Sequence, residues 1–230
     1  MKTAIVTSCD SKYLPGVKAL YASCIKNTFE TDFFLLAHGD PNEFKSLNTS
    51  GIKILFNKDP VSSPTSHKWK DSIPAMYSRL MIPRLFQEYD RVLWLDADTL
   101  VLSDLEELFY IELEGQPAAA QVVHNVNKLN DKLNFMAYQF ENPEDSLGFE
   151  NILAPQAGVV LFDIKQWHAL DLDKVVDTAL TSGIKFKYIA GTNHAEIAAI
   201  EVDGVILRDG YNSPTALNNL NDGTKWSDYV

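Results

Sequence analysis

The run AGVVLFDI (residues 157–164) is apolar at one position after another, and a strand of that kind is stable only inside a sheet covered on both faces. That demand points to a layered α/β fold. Upstream, the short β-branched segment KTAIVTS (2–8) gives way, after Pro15 and Gly16, to VKALYASCIKNT, whose apolar spacing is helical. TDFFLLAHG (31–39), PNEFKSLN and GIKILFN (51–57) then read as strand, short helix and strand. Alternation of this sort builds a mainly parallel sheet flanked by helices.

Between Lys58 and Ser72 the chain is rich in Pro, Ser and Lys, too polar for core and long enough for a functional loop or lid. SIPAMYSRLMIPRLFQEY reads as a helix with Pro74 in its first turn, which Pro83 must kink or interrupt. The strand RVLWL follows, then LSDLEELF, and QPAAAQVV (116–123) reads as a further buried strand. Residues 124–151 are polar and read as helix plus loop. KQWHAL and LDKVVDTALTSG read as helices, the second closed by Gly183, and IKFKYIA, NHAEIAAIEV and GVILRDG add strand, helix and strand. With no internal repeat and no Gly- or Pro-rich linker, one domain over 1–230 is expected.

Composition narrows the function. A chain of 230 residues, 46% hydrophobic and 22% charged, has an ordinary globular make-up, and no apolar run reaches the roughly 18 residues of a membrane span. Acidic residues outnumber basic ones by 31 to 20, for a net charge of −11, which argues against a nucleic-acid surface. A phosphate-bearing substrate would then need a metal to neutralise it. Cys9 and Cys24 sit in apolar settings without C-x-x-C pairing, as small buried thiols do in a reducing compartment. MKTAIVTSCD has no signal-like apolar stretch, so a cytoplasmic location is the expectation.

In VLWLDADTLVL (92–102) an apolar strand runs directly into Asp96 and Asp98. Residues i and i+2 of a strand project to the same side, so both carboxylates can meet one cation at the strand end where open α/β sheets expose their ligand crevice. Mn²⁺ and Mg²⁺ are hard ions that combine carboxylate oxygens with substrate phosphates. The bland alternative makes Asp98 a cap for the helix of LSDLEELF. A third reading is catalytic, because LDADTL is similar to the D-x-D-x-T motif of haloacid dehalogenase phosphatases, where Asp96 would be the nucleophile. Against it, about three strands precede the motif here, Leu100 follows Thr99, and no later Asp-Asp pair ends a strand.

Three blocks resemble the glycosyltransferases of the glycogenin and bacterial lipopolysaccharide galactosyltransferase type, a family 8-like group with the Rossmann-like GT-A fold. They are IVTSCDSKYLPGVKALYASC, YSRLMIPRLFQEYDRVLWLDADTLVLSDLEELF and QAGVVLFDIKQW, which together span most of the chain. The resemblance implies a nucleotide-binding half over about 1–102 and a donor-sugar and acceptor half over about 103–230. It implies a nucleotide-sugar donor, UDP-linked, held through Mn²⁺ or Mg²⁺, and a glycan, lipid-linked or protein acceptor. Asp96 and Asp98 would hold the metal, with Asp96 also near the donor ribose or sugar and Ala97 contributing backbone contact. Thr7, Ser8, Asp10 and Tyr13 would line the nucleotide, the Tyr13 ring stacking on uracil or, in the alternative, pinning its loop to the first helix. Arg79 would face the diphosphate unless it is a solvated or ion-paired helix residue, while Gln156, Ala157 and Gly158 would approach the donor sugar.

The chain departs from this family pattern in two places. Where the family has an acidic D-Q pair, this sequence has His194 and Ala195, with Glu196 the next acid. The late H-x-x-G-x-x-K-P-W motif survives only as NDGTKWSDYV, where Gly223, Lys225 and Trp226 fit loosely and Asp222, Asn221 or water would supply the third metal ligand. An inverting path needs a base at the acceptor hydroxyl, for which Asp163, His194 and Glu196 are candidates. In a retaining path the leaving phosphate itself can serve. The divergent pattern also leaves open a catalytically silent sugar-nucleotide or glycan-binding module.

Overall fold

The computed structural model describes residues 1–27, 30–48, 50–56, 75, 77–122, 155–181 and 204–206. The expected lid at 58–72, the polar span 124–151 and the elements expected over 184–202 lie outside these residues, as does Gly183.

Seven strands form one sheet: β1 (Thr3–Asp10), β2 (Asp32–His38), β3 (Lys53–Phe56), β4 (Arg91–Leu95), β5 (Ala118–Val122), β6 (Pro155–Asp163) and β7 (Gly204–Ile206). Their order is β3-β2-β1-β4-β6-β5-β7. The pairings β1–β2, β1–β4, β2–β3 and β5–β7 are parallel, whereas β6 runs antiparallel to both β4 and β5. Flanked on both edges, β6 buries Gly158 to Phe162 without a break, as its continuous apolar run requires. The sheet is the mixed, mainly parallel sheet of a single-domain GT-A fold.

Alternate residues of each strand feed two cores. One face carries Ala4, Val6, Phe34, Leu36, Val92 and Trp94 beneath Tyr77, Leu80, Phe86 and Trp167. The other carries Ile5, Leu35, Leu93 and Leu95 beneath Val17, Leu20, Phe44 and Phe109. Helix α1 (Leu14–Asn27) presents Val17, Leu20 and Cys24 to the second core, the three-and-four spacing of one helical face. It starts earlier than its apolar pattern, because Pro15 needs no partner for an N–H in the first turn. Cys9 and Cys24 are free and buried, and burial pushes both thiols up to about 12.

The helix expected before β4 is broken, as Pro83 demands. A 3₁₀ turn at Ser78–Met81 is followed by the short α2 (Ile82–Leu85), with Pro83 in its first turn. Proline has no N–H for a continuing ladder and its ring would strike a carbonyl one turn back, so the chain restarts there. Past β4, α3 (Glu106–Phe109) has its first turn tied by Asp104, which accepts from the Glu106 amide at 2.9 Å. The capping alternative for Asp98 fails, since α3 begins only at Glu106, its N-cap is Leu105, and the side chain bonded at its start is that of Asp104. Helices α4 (Ile164–Ala169) and α5 (Leu172–Thr181) close the described structure below β6. Among the described residues no helix is long and apolar enough to cross a membrane.

Trp167 joins α4 to the sheet: it is 1% exposed, meets Phe162 edge-to-face at 5.5 Å and donates its indole N–H to Asp173 at 3.1 Å. Trp167→Ala is expected to cost about 3–5 kcal/mol by urea unfolding. Trp167→Phe, which keeps most of the ring, should cost less than the alanine variant and still exceed the roughly 1 kcal/mol of the lost hydrogen bond. Equal losses in the two variants would show that packing against Phe162 contributes little.

Candidate active site

Asp10, His38 and Asp96 stand at the carboxyl ends of β1 and β2 and just beyond β4. Asp10 is paired in register with His38. Val6 is paired with Trp94, the last pair of the β1–β4 register before β4 ends at Leu95. The segment from Ala75 to Met81 crosses these three strand ends and bonds to each. The Ser8 hydroxyl donates to the Ala75 carbonyl, His38 Nε2 and Ser78 Oγ share a hydrogen bond at 2.6 Å, and Arg79 Nη2 lies 3.3 Å from Asp96 Oδ1. Burial holds His38 below its ordinary value despite the opposing pull of Asp10, so its ring is neutral at pH 7.

The two aspartates do not meet by strand alternation. β4 stops at Leu95, and the Thr99 amide donates to the Asp96 carbonyl at 3.0 Å, closing a four-residue turn with Ala97 and Asp98 at its corner. The Asp96 amide in turn donates to the Gly158 carbonyl of β6 at 2.9 Å, which fixes the start of the turn to the sheet. Asp96 Oδ1 also accepts the indole N–H of Trp94 at 2.8 Å, and the Arg79 guanidinium lies 5.0 Å above the Trp94 ring. Arg79 is only 4% exposed. It is held among protein groups that include Asp96 and Trp94.

Asp98 reaches solvent, yet its carboxylate is crowded by surrounding protein atoms. That crowding, and after it the negative charge of Asp96, push its carboxyl above the ordinary value. The arrangement suits a divalent cation: two hard oxygen donors sit close enough for mutual repulsion, and a backbone hydrogen bond and the Arg79 charge offset the cost at Asp98 only in part. Among the described residues no group of three or more His, Cys, Asp or Glu is placed to hold an ion, and Asp222 lies outside them.

The other expected residues divide. Tyr13 is 44% exposed at the end of the 3₁₀ turn Ser11–Tyr13, whose start Asp10 caps by accepting from the Lys12 amide at 3.0 Å. Thr7 is wholly buried, Ser8 is engaged with Ala75 and Asp10 is half-buried as the cap of the 3₁₀ turn, so of the four nucleotide candidates it is Tyr13 whose side chain is exposed. The Gln156 and Ala157 backbones belong to β6. His194, Glu196 and Lys225 lie outside the described residues. Asp163 corrects an expectation. Because β6 is antiparallel, Asp163 pairs with Arg91 at the beginning of β4, the end of the sheet remote from Asp96. There it caps α4 by accepting from the Gln166 amide at 3.0 Å and faces the Arg91 guanidinium at 3.9 Å. His38, Ser78 and Trp94 are contributors that the motif reading missed. A histidine closing a strand at its carboxyl end, in TDFFLLAHG, was the one available signal.

Residues 4–190 match the model of the family described as "Glycosyl transferase family 8". The chain belongs to this family. It is 28% identical over 192 residues to the lipopolysaccharide 1,2-glucosyltransferase of Escherichia coli, covering 78% of this chain and 53% of that protein. It is 27% identical over 129 residues to a probable galacturonosyltransferase-like protein of Arabidopsis thaliana, covering 50% of this chain and 37% of that one. The chain thus spans about half or less of the length of these curated relatives. In fold it is similar to the galactosyltransferase LgtC solved with donor and acceptor sugar analogues, with TM-score 0.66 at 18% identity over 97% of this chain and 79% of that one. The bifunctional glycosyltransferase WbbM superposes with TM-score 0.68 at 18% identity, over 96% of this chain and 44% of that one. Family membership sets aside the phosphatase reading of LDADTL.

The raised carboxyl of Asp98 has a thermodynamic consequence. A group that holds its proton more tightly when folded destabilises the native state once pH exceeds its unfolded value of 3.8, and the cost disappears below that value. Asp98→Asn is therefore expected to raise the thermal midpoint of the metal-free protein at pH 7 and to lose that advantage below about pH 3.8. Scanning calorimetry at both pH values, with chelator present, checks this. A variant less stable than the parent at pH 7 would contradict it.

Proposed function

We propose that this chain is a metal-dependent hexosyltransferase that moves a sugar from a UDP-linked donor to the hydroxyl of a glycan, lipid-linked or protein acceptor. The observation that carries the reading is the turn Asp96–Thr99, which sets two carboxylates beside a buried arginine at the carboxyl edge of a family 8 sheet. Support for hexosyl transfer comes from the glucosyl and galactosyl activities named for relatives and structural neighbours.

In the reaction the acceptor oxygen forms a bond to the anomeric carbon, the bond from that carbon to the diphosphate oxygen breaks, and UDP departs with the electron pair. A Mn²⁺ or Mg²⁺ ion held by Asp96 and Asp98 would supply positive charge to the departing diphosphate. The chain's own part is positional. Arg79 neutralises Asp96 from behind, and at 5% side-chain exposure its primary task is to orient that carboxylate rather than to touch phosphate. Tyr13 offers an exposed ring for the base, on a turn whose start the Asp10 carboxylate caps. The acceptor proton passes to the leaving phosphate or to His194 or Glu196. Asp163, at the far end of the sheet, takes no part.

Titration calorimetry with UDP, in the presence and absence of Mn²⁺, tests the reading. Metal-dependent UDP binding is expected, and Asp98→Ala should reduce it at least tenfold, within the range that loss of a charged ligand contact produces. Binding that is indifferent to metal, or full transfer activity in Asp98→Ala, would overturn the metal role. Steady UDP release with an acceptor present would exclude a silent binding module.

A further inference from the structure

We propose that Trp94 is a positioning residue for the donor site: its indole N–H and the Arg79 guanidinium together hold Asp96 by the single oxygen Oδ1, so that Oδ2 is the oxygen offered to a divalent cation. This rests on the metal reading above. Three contacts close on one another. The Trp94 N–H reaches Oδ1 at 2.8 Å, Arg79 Nη2 reaches the same oxygen at 3.3 Å, and the guanidinium lies over the Trp94 ring at 5.0 Å. Among the described residues no hydrogen bond is made to Oδ2, and the Asp96 side chain is 36% exposed.

The indole suits this task for reasons of geometry. Trp94 lies in β4 and Asp96 one residue past its end, where the turn begins, and the indole N–H spans that short separation to reach Oδ1. The Trp94 backbone is held on both sides, against Val6 of β1 and Val160 of β6, and its side chain is buried. Its N–H therefore points from a fixed ring on a fixed strand, with only two side-chain torsions to order. A phenylalanine would keep the surface under Arg79 and remove the N–H alone. Without that donor only the longer Arg79 contact, at 3.3 Å, restrains the carboxylate, which then turns more easily about its Cβ–Cγ bond, and part of the orientation that a cation needs must be supplied on binding.

The test compares Mn²⁺ affinity in the presence of UDP, measured from the electron paramagnetic resonance signal of free Mn²⁺, for the parent and Trp94→Phe. A roughly 10–100-fold weakening is expected, the usual consequence of removing a hydrogen-bond partner from a metal ligand. Benzothienylalanine at position 94, which replaces the N–H by sulfur at nearly constant shape, should reproduce the weakening without lowering the thermal midpoint. A merely structural role for Trp94 would lower the midpoint of the phenylalanine variant and leave Mn²⁺ affinity unchanged in both, which would overturn the assignment. If the parent itself fails to bind Mn²⁺ with UDP, the metal reading falls and this assignment with it. Parent binding with unchanged variants removes the role of Trp94 alone.

Discussion

Two carboxylates placed together at the end of a buried strand repel each other, and the rest of this site follows from how the protein answers that repulsion. It answers only half. Asp96 receives a buried guanidinium and an indole N–H on one oxygen, while Asp98 is left crowded and facing the charge of its neighbour. The result is an unequal pair: one carboxylate is fixed by protein groups, and the other carries an unfavourable charge of the kind a cation relieves. Full neutralisation of both by protein groups would stabilise the empty fold and weaken the demand for an ion.

Holding Arg79 in place is the work of the segment before β4. Its contacts with the sheet are spread over three strands: Ser8 of β1 to the Ala75 carbonyl, His38 of β2 to Ser78, and Asp96 after β4 to Arg79. None is large alone. Together they tie the segment at several points along the carboxyl edge, while Tyr77, Leu80, Ile82 and Phe86 bury its underside in the core. Pro83 contributes by preventing a straight helix, since the broken path of a 3₁₀ turn followed by α2 lets the segment lie across the strand ends instead of continuing away from them.

Much of the fold was legible because strands and helices announce themselves by period. The apolar runs at 3–10, 32–38, 91–95 and 155–163 became strands, and the spacing of Val17, Leu20 and Cys24 became the buried face of α1. The candidate site was legible for the same reason, since carboxylates at the end of a buried strand stand out against it. What period cannot convey is how the chain bends after a strand stops. Asp96 and Asp98 meet through a turn closed by Thr99, although alternation along a strand would have given the same pairing on paper. Arg79 looks in sequence like any arginine on a helix; its burial follows from a tertiary contact with Trp94 and Asp96 that no local pattern encodes.

Strand direction was the least legible feature, and it decides the fate of one whole motif. In QAGVVLFDIKQW the small residues and the aspartate lie within eight positions of each other, so read as a block they all belong near the donor. An apolar run has no polarity, and its hydrophobic pattern is equally compatible with either direction in the sheet. Because β6 runs against β4, its beginning lies at the site, where the Gly158 carbonyl anchors the Asp96 amide, and its end lies where the parallel strands begin. Among the described strands, the rule that ligands gather at the carboxyl ends therefore inverts for β6 alone. Gly158 is held to the site and Asp163 is carried to the opposite edge, where its carboxylate closes a helix and faces Arg91. A single reversed strand thus separates the motif into a part that can serve chemistry and a part that serves the fold.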